Sequence, residues 1–151
     1  MTASAKKGRA WIDGAARGNP GDAGFGVHLE TGPATETLFG FLGQATNNVA
    51  EYAGLIAALG LARRLGIEDL TVFSDSQLLV KQMLGQYRVK AAHLKPLFLH
   101  ASKLRRQIPK VELRHVGRED NSLADGLANR AIDERSPLPE WMELGLSPAN
   151  S

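Results

Sequence analysis

The sequence predicts an α/β domain, classed as α+β by some schemes, in which helices cover the faces of a mixed sheet. Three observations lead to this fold class. The first third of the chain has the pattern of three strands joined by hairpins, the apolar spacing then changes to that of a helix, and two later strand-like runs alternate with helical segments. The predicted order of elements is therefore β-β-β-α-β-α-α-β-α.

The three N-terminal strands are predicted from apolar runs separated by turn residues. Residues 9–15, 24–29 and 38–42 carry the bulky apolar side chains. Between them, residues 17–22 and 30–33 are rich in glycine, proline and other residues that favour turns. Short connections of this kind predict an antiparallel meander.

The first helix is predicted from apolar side chains that recur at helical spacing across residues 48–65. Gly66 is a natural stop for this helix, and Asn48 followed by Glu51 resembles a capping pair at its start. The later elements are a strand at 70–74, a helix at 76–84 ended by Gly85, a helix at 94–108 with Pro96 in its first turn, a strand at 111–116, and a helix at 121–133 capped by Asn121.

Length and composition indicate one domain without disulfides. The 151 residues suffice for a single core, and no apolar run approaches the roughly 18 residues that a bilayer span needs. Because no apolar signal segment follows the basic pair Lys6-Lys7, we expect a cytoplasmic location and no membrane partner. The absence of cysteine excludes thiolate ligands and a cysteine nucleophile, so any metal must be bound by oxygen or imidazole.

The net charge of +2 does not by itself indicate a nucleic-acid partner. Basic residues are nevertheless concentrated between positions 81 and 114, where few acids oppose them. A solvated helix face and a phosphate-facing patch both explain this concentration, and the residues alone leave the two interpretations open.

Four carboxylates near the ends of predicted elements are the candidate site. Asp13 lies within an apolar strand, where an ionised carboxylate is costly unless it is paired or binds a metal. Asp75 directly follows a strand, at the end where open α/β sheets place ligand sites. Glu51 and Asp125 lie early in their helices. Taken singly, Glu51 could complement a helix dipole, Asp75 could cap a helix and Asp125 could be a surface residue.

Taken together, the four acids predict a site for hard divalent cations. Grouped carboxylates without cysteine, and without a paired-histidine motif, are the donors that Mg²⁺ and Mn²⁺ prefer. Two such ions about 4 Å apart can activate a water and stabilise a leaving oxygen in phosphoryl transfer. The pattern therefore favours a metal-dependent nuclease.

Four short segments that include these acids follow one another along the chain. They are residues 13–21 (DGAARGNPG), 46–51 (TNNVAE), 74–77 (SDSQ) and 121–125 (NSLAD). In this order they resemble the type 1 ribonucleases H, which cut the RNA strand of RNA/DNA hybrids. The resemblance implies a ribonuclease H-like fold, with a five-stranded mixed sheet and helices on both faces. The domain is expected at 9–135, after a flexible N-terminus at 1–8 and before an extended C-terminal tail at 136–151, in which Trp141 and Met142 dock on the domain.

The same resemblance implies a role for each matching residue. The metal ligands would be Asp13, Glu51, Asp75 and Asp125, which would hold two Mg²⁺ or Mn²⁺ ions with Asp13 bridging them. Attack of water on the scissile phosphate would leave a 5′-phosphate and a 3′-hydroxyl. Side chains expected to contact the minor groove of the hybrid are those of Asn19, Asn47, Asn48 and Gln77, while Thr46 would contact a phosphate of the DNA strand. A monomer is expected.

The sequence departs from the family pattern in two places. Many members have a histidine in the loop before the last helix, whereas this loop contains Arg118 and Glu119, either of which could substitute for it. The nearby His115 is expected to pack in the sheet instead. The segment at 86–94 is too short for the long basic helix with which some relatives grip the hybrid, so substrate contact is expected to fall to Arg88 and Lys90.

Three other functions are compatible with parts of the sequence. A phosphate-cradling nucleotide-binding protein would explain the glycine-rich residues 14–26, but the P-loop and dinucleotide-binding motifs are absent. A hybrid- or RNA-binding module without activity could share the fold, although the presence of all four acids argues against it. A nuclease or integrase acting on duplex DNA could share the sheet, and the paired Asn47-Asn48 favours a hybrid substrate over this.

Overall fold

Within residues 5–144, which are those described by the computed structural model, five strands form one mixed sheet, three α-helices pack against the sheet, and a fourth packs against the first of these helices. In chain order the elements are β1 (Lys7–Gly18), β2 (Gly21–Thr31), β3 (Ala34–Ala45), α1 (Asn47–Arg64), β4 (Asp69–Ser74), α2 (Gln77–Met83), α3 (Lys95–Arg106), β5 (Lys110–His115) and α4 (Ser122–Glu134). The strand order across the sheet is β3-β2-β1-β4-β5. Strands β1, β2 and β3 are antiparallel neighbours, whereas β4 is parallel to both β1 and β5.

The predicted order of elements and the five-stranded mixed sheet are confirmed. The meander strands are longer than predicted, because β1 and β2 pair continuously from Arg9–Glu30 to Gly18–Gly21 and only Asn19-Pro20 separates them. Lys7 and Gly8 also belong to β1, since they pair with the first residues of β4. The division into 1–8, 9–135 and 136–151 stays a prediction, and its residues 1–4 and 145–151 lie outside the described part of the chain.

Helix α1 begins at Asn47, one residue before the predicted range, and its cap is Thr46. The Thr46 hydroxyl accepts a hydrogen bond from the backbone N–H of Val49 at 3.2 Å, so the prediction of an Asn48 cap is wrong. Thr46 has the extended backbone conformation that a cap requires, so Asn48 lies inside the first turn of the helix. At the other end Gly66 has a φ of +73°, a conformation that glycine adopts without strain, and the predicted stop is confirmed.

The sheet is covered on both faces. Helix α1 is buried along most of its length and carries much of the core, including the fully buried Leu55, Ile56 and Leu59. Successive residues of a strand face opposite sides of the sheet. Positions of β1 and β2 on one side contact α1, and positions on the other side contact α4, so the two helices lie on opposite faces of the sheet. Within residues 5–144 no helix is both long and apolar enough to cross a membrane.

The described start of the C-terminal tail returns across the domain, as expected. The Ser136 carbonyl accepts a hydrogen bond from the Phe41 N–H of β3 at 2.7 Å. Farther along, Trp141 lies against Gly60 of α1 and Met142 packs against the hydrophobic core. Gly60 permits this close contact, because a Cβ at this position would lie 2.5 Å from the Trp141 ring and the ring would have to move. The docking of Trp141 and Met142 is thereby confirmed.

Candidate active site

The register of two parallel strands brings Asp13 and Asp75 together. Ile12 of β1 pairs with Ser74, the last residue of β4. Asp13 and Asp75 are the next residues of these neighbouring segments, at the carboxyl end of β4. Ligand sites of open α/β sheets lie at this edge, because the chain turns away there and leaves side chains accessible.

Two glycines let the flanking helices approach this edge closely. A Cβ on Gly14 would collide with the backbone of Ala50, and a Cβ on Gly26 would lie 2.5 Å from the Ala124 carbonyl oxygen. With no side chains in the way, α1 and α4 lie directly on the strand backbones. The residues that follow these contacts, Glu51 and Asp125, are thus carried to the same edge as Asp13.

All four predicted acids line one open cavity of about 450 Å³. They differ in exposure, since Asp13 is only 7% exposed, Glu51 and Asp75 are half-buried, and Asp125 is exposed. Asn47 and Arg118 line the same cavity. The four acids come from one strand, one strand end and two helices that are remote in sequence, so only the fold makes them neighbours.

The electrostatics of the cavity disfavour the charged form of Asp13. Burial, the nearby Asp75, the Asp125 side chain and Glu51 together raise the pKa of this carboxyl from 3.8 to about 8, with burial as the largest cause. Burial also raises the pKa of Glu51, with Asp75 adding to the effect, while a hydrogen bond with Ser76 and the charge of Arg118 oppose it. Buried carboxylates that repel one another in this way are stabilised as anions when a cation lies between them.

The donor set of the cavity fits a hard divalent cation. Carboxylate oxygens from four residues surround one space, and these are the ligands that Mg²⁺ and Mn²⁺ prefer. Within residues 5–144, no group of three or more His, Asp or Glu side chains is already arranged as a formed metal site. Binding of a cation would therefore require the carboxylates to turn toward one common point.

Asn121 links two of the acids in a way that sequence reasoning missed. It occupies the predicted cap position of α4, but its side chain makes no capping hydrogen bond. The buried Nδ2 group instead donates to the Ile12 carbonyl at 2.9 Å, one residue before Asp13. Its backbone carbonyl accepts from the Asp125 N–H at 3.1 Å. Asparagine before an apolar helix usually signals a cap, so nothing local distinguished this role.

The predicted substrate residues near the β1–β2 turn form a small network. The Asn19 Oδ1 accepts a hydrogen bond from the Asn47 N–H at 3.1 Å, and the Asn47 Oδ1 accepts one from the Ala16 N–H at 3.0 Å. These bonds fasten the turn to the start of α1, where Asn48 follows and the Thr46 hydroxyl is engaged as the cap. Their substrate contacts stay predictions.

The remaining predicted contacts are distributed more widely. Gln77 is the exposed first residue of α2, close after Asp75 in sequence. Arg88 and Lys90 are exposed between α2 and α3, and neither lines the acidic cavity. Their roles stay predictions as well.

The loop before α4 places Arg118 at the acidic cavity. This residue lines the acidic cavity, whereas Glu119 does not. The expectation that His115 packs in the sheet is wrong, because it is exposed at the last position of the edge strand β5, beyond the buried Leu113. Alternation predicts burial only where another element covers the strand.

This architecture and cavity define a ribonuclease H-like protein, and comparisons with known proteins agree. The family model described as reverse transcriptase-like matches residues 12–131. A bifunctional protein of Mycobacterium tuberculosis is 44% identical over 124 residues, covering 80% of this chain and 34% of its own length. The ribonuclease H of Alkalilimnicola ehrlichii is 38% identical over 139 residues, covering 83% of this chain and 94% of its own.

Solved structures give the same result. The RNase H1 of Halobacterium salinarum superposes with a TM-score of 0.81 at 38% identity, covering 85% of this chain and 98% of that one. LC11-RNase H1, solved in complex with an RNA/DNA hybrid, has a TM-score of 0.80 at 38% identity, covering 84% and 97%. The chain belongs to the type 1 ribonuclease H family. It spans about a third of the length of the mycobacterial relatives that it matches.

Proposed function

We propose that the chain is an endoribonuclease that hydrolyses the RNA strand of RNA/DNA hybrids. The observation that carries this proposal is the convergence of Asp13, Glu51, Asp75 and Asp125 on one cavity at the carboxyl end of β4. The similarity to LC11-RNase H1, which was solved with such a hybrid, supports the choice of substrate. A binding module would have no use for a cluster of carboxylates that repel both each other and the phosphate backbone.

The same four carboxylates, those of Asp13, Glu51, Asp75 and Asp125, would hold two Mg²⁺ or Mn²⁺ ions. Bound there, the metal would lower the pKa of water and neutralise charge on the leaving oxygen. The chain itself supplies the negative charge that concentrates cations and the rigid strand edge that fixes the ligands. Arg118 adds a positive charge beside Glu51, in position to attract the scissile phosphate.

Selection of the hybrid would depend on the amides beside the cavity. In Asn19 and Asn47 the side-chain oxygens bond to the protein backbone, so their Nδ2 groups are the donors left for substrate. Together with Asn48 and Gln77 they could recognise 2′-hydroxyls and base edges of a minor groove. Thr46, Arg88 and Lys90 would contribute phosphate contacts.

A cleavage assay on matched duplexes tests the proposal. The purified chain is incubated with labelled RNA/DNA, RNA/RNA and DNA/DNA duplexes of one sequence, with Mg²⁺, with Mn²⁺ or with chelator. We expect cleavage of the RNA strand in the hybrid, and only with metal. Equal cleavage of DNA/DNA would favour a DNA nuclease, and binding of the hybrid without cleavage would favour an inactive module.

The ends of the products test the finer chemistry. We propose a 5′-phosphate and a 3′-hydroxyl, so the downstream fragment should be a substrate for a 5′-phosphate-dependent exonuclease and the upstream fragment should be extended by a polymerase. A 3′-phosphate would contradict this assignment. The monomeric state and the cytoplasmic location stay predictions.

A further inference from the structure

A second cavity lies at the far end of α1 from the acids. It has a volume of about 530 Å³ and is enclosed by α1, α3 and the docked segment around Trp141. Arg63 on its rim follows Glu51 by twelve residues, which at about 1.5 Å per residue corresponds to roughly 18 Å along the helix. We call this space the distal cavity. Its size is within the range of small-ligand sites.

Four of the eleven residues that line the distal cavity are basic. These are Arg63 and Arg64 of α1 and His100 and Lys103 of α3, with Glu143 as the one acid among the lining residues. Within residues 5–144, neither Arg63 nor Lys103 makes an ion pair. Three permanent positive charges therefore face one carboxylate in a partly enclosed space.

Helix dipoles explain only part of this arrangement. Arg63, Arg64 and Lys103 lie in the last turns of their helices, where cations are favourable. That effect requires each cation only to be near its own helix end. It does not require two helices to direct their cations into one cavity, where three positive charges against one carboxylate give a net positive potential that attracts anions.

The third wall of the cavity is a packed structure. Trp141 lies against Gly60, and the Arg64 guanidinium lies 5.1 Å from the centre of the Trp141 ring. This contact holds one arginine over the aromatic face and reduces its freedom, so less entropy would be lost on binding an anion. The walls are thus formed in the protein alone.

We propose that the distal cavity binds phosphate groups, separately from the cleavage site. Guanidinium groups pair with phosphate oxygens through two parallel hydrogen bonds, which matches the two arginines, while Lys103 adds a point charge. The phosphates could come from a free nucleotide or from the backbone of a nucleic acid bound outside the active site. This inference does not depend on the proposed nuclease activity.

Fluorescence of Trp141 provides the test. The chain has two tryptophans, and Trp11 does not line the distal cavity, so Trp11→Phe leaves Trp141 as the sole reporter. This variant is titrated in chelator with inorganic pyrophosphate and, separately, with a single-stranded DNA oligonucleotide. We expect a saturable change in emission, and binding at least about tenfold weaker after the further changes Arg63→Gln and Lys103→Gln. Calorimetric titration of the unaltered chain gives the same answer if Trp11→Phe does not fold.

A matched control variant distinguishes binding at the distal cavity from nonspecific electrostatic attraction. Lys95→Gln with Arg106→Gln removes the same charge from exposed positions on α3 that do not line the cavity. We expect this control to bind as the parent does. Stronger binding of pyrophosphate would identify free phosphate compounds as the source, and stronger binding of the oligonucleotide would identify a backbone. No saturable change with either probe, or equal weakening by the control, would overturn the proposal.

Discussion

At its two ends, helix α1 contributes to clusters of opposite charge that differ in burial. The acidic cavity at its first turn holds Asp13 almost fully buried among other carboxylates, whereas the cations of the distal cavity are largely exposed. Charge that water solvates costs little to collect, but buried like charges are costly. The acidic cavity therefore depends on a bound cation much more than the distal cavity depends on a bound anion.

The largest expected effect comes from removing one carboxylate of the acidic cavity. Asp75→Asn keeps the shape of the side chain but removes a metal ligand, so we expect hybrid cleavage to fall by at least about 100-fold with little change in melting temperature. Cleavage assays and thermal denaturation measure the two quantities. Asp69→Asn, at the other end of β4 and outside the cavity, is the control. Full Mg²⁺-dependent activity in Asp75→Asn would refute the assigned site.

The next effect is the stabilisation of the acidic cavity by cations. The folded pKa of Asp13 is about 8 against an ordinary 3.8, so the folded state keeps a proton that the unfolded chain releases. Without metal, the free energy of unfolding should then decrease as pH rises between about 4 and 8. Mg²⁺ or Mn²⁺ at 100 times its Kd should restore about 2.7 kcal/mol, or roughly 5–10 °C in melting temperature.

Calorimetry of the metal-free and metal-loaded chain across this pH range checks the expectation. Asp13→Asn is the matched variant, because it has no proton to lose and should show a flatter dependence on pH. A stability that increases from pH 4 to 8 without metal would contradict the assigned burial and repulsion of Asp13.

A smaller effect is expected from Asn121, which connects β1 to α4. Asn121→Ala removes the hydrogen bond to the Ile12 carbonyl and leaves that buried acceptor without its partner, at a cost of about 1–3 kcal/mol. Because Asp125 is anchored one turn farther on, we expect kcat to fall by about tenfold while KM changes little. Leu123→Ala, an exposed change in the same turn, is the control. Unchanged kcat in a destabilised Asn121→Ala protein would indicate a purely structural role.

The smallest effect concerns the wall of the distal cavity. Gly60→Ala places a Cβ where the Trp141 ring lies, so the ring must move toward solvent. The helix gains up to about 1 kcal/mol from the better helix former, which offsets part of the lost packing. We expect Trp141 emission to shift to longer wavelength in the Trp11→Phe background, with hybrid cleavage unchanged. An unshifted spectrum would mean that the tail does not depend on Gly60 for docking.

The elements of the fold could be predicted from local patterns, because each has its own spacing of apolar residues and its own turn or capping residues at the ends. The failures occurred where a side chain had more than one local option. Asn48 and Thr46 are both good capping residues, and backbone geometry gave the cap to Thr46. Alternation along β5 suggested burial for His115, but this residue is exposed at the last position of an edge strand. Asn121 has the sequence pattern of a cap, but its side-chain amide instead donates a hydrogen bond to the backbone of β1.

By itself, the sequence determined the order of strands and helices, and it predicted four candidate acids and the chemistry that such donors can support. These depend on neighbouring residues and on residue type, which are local properties. Only the tertiary structure decided that Ile12 pairs with Ser74, that α1 and α4 lie directly on Gly14 and Gly26, and that cations of two helices share the distal cavity. Such contacts join residues far apart in the chain, and their energy is realised only when the whole core packs.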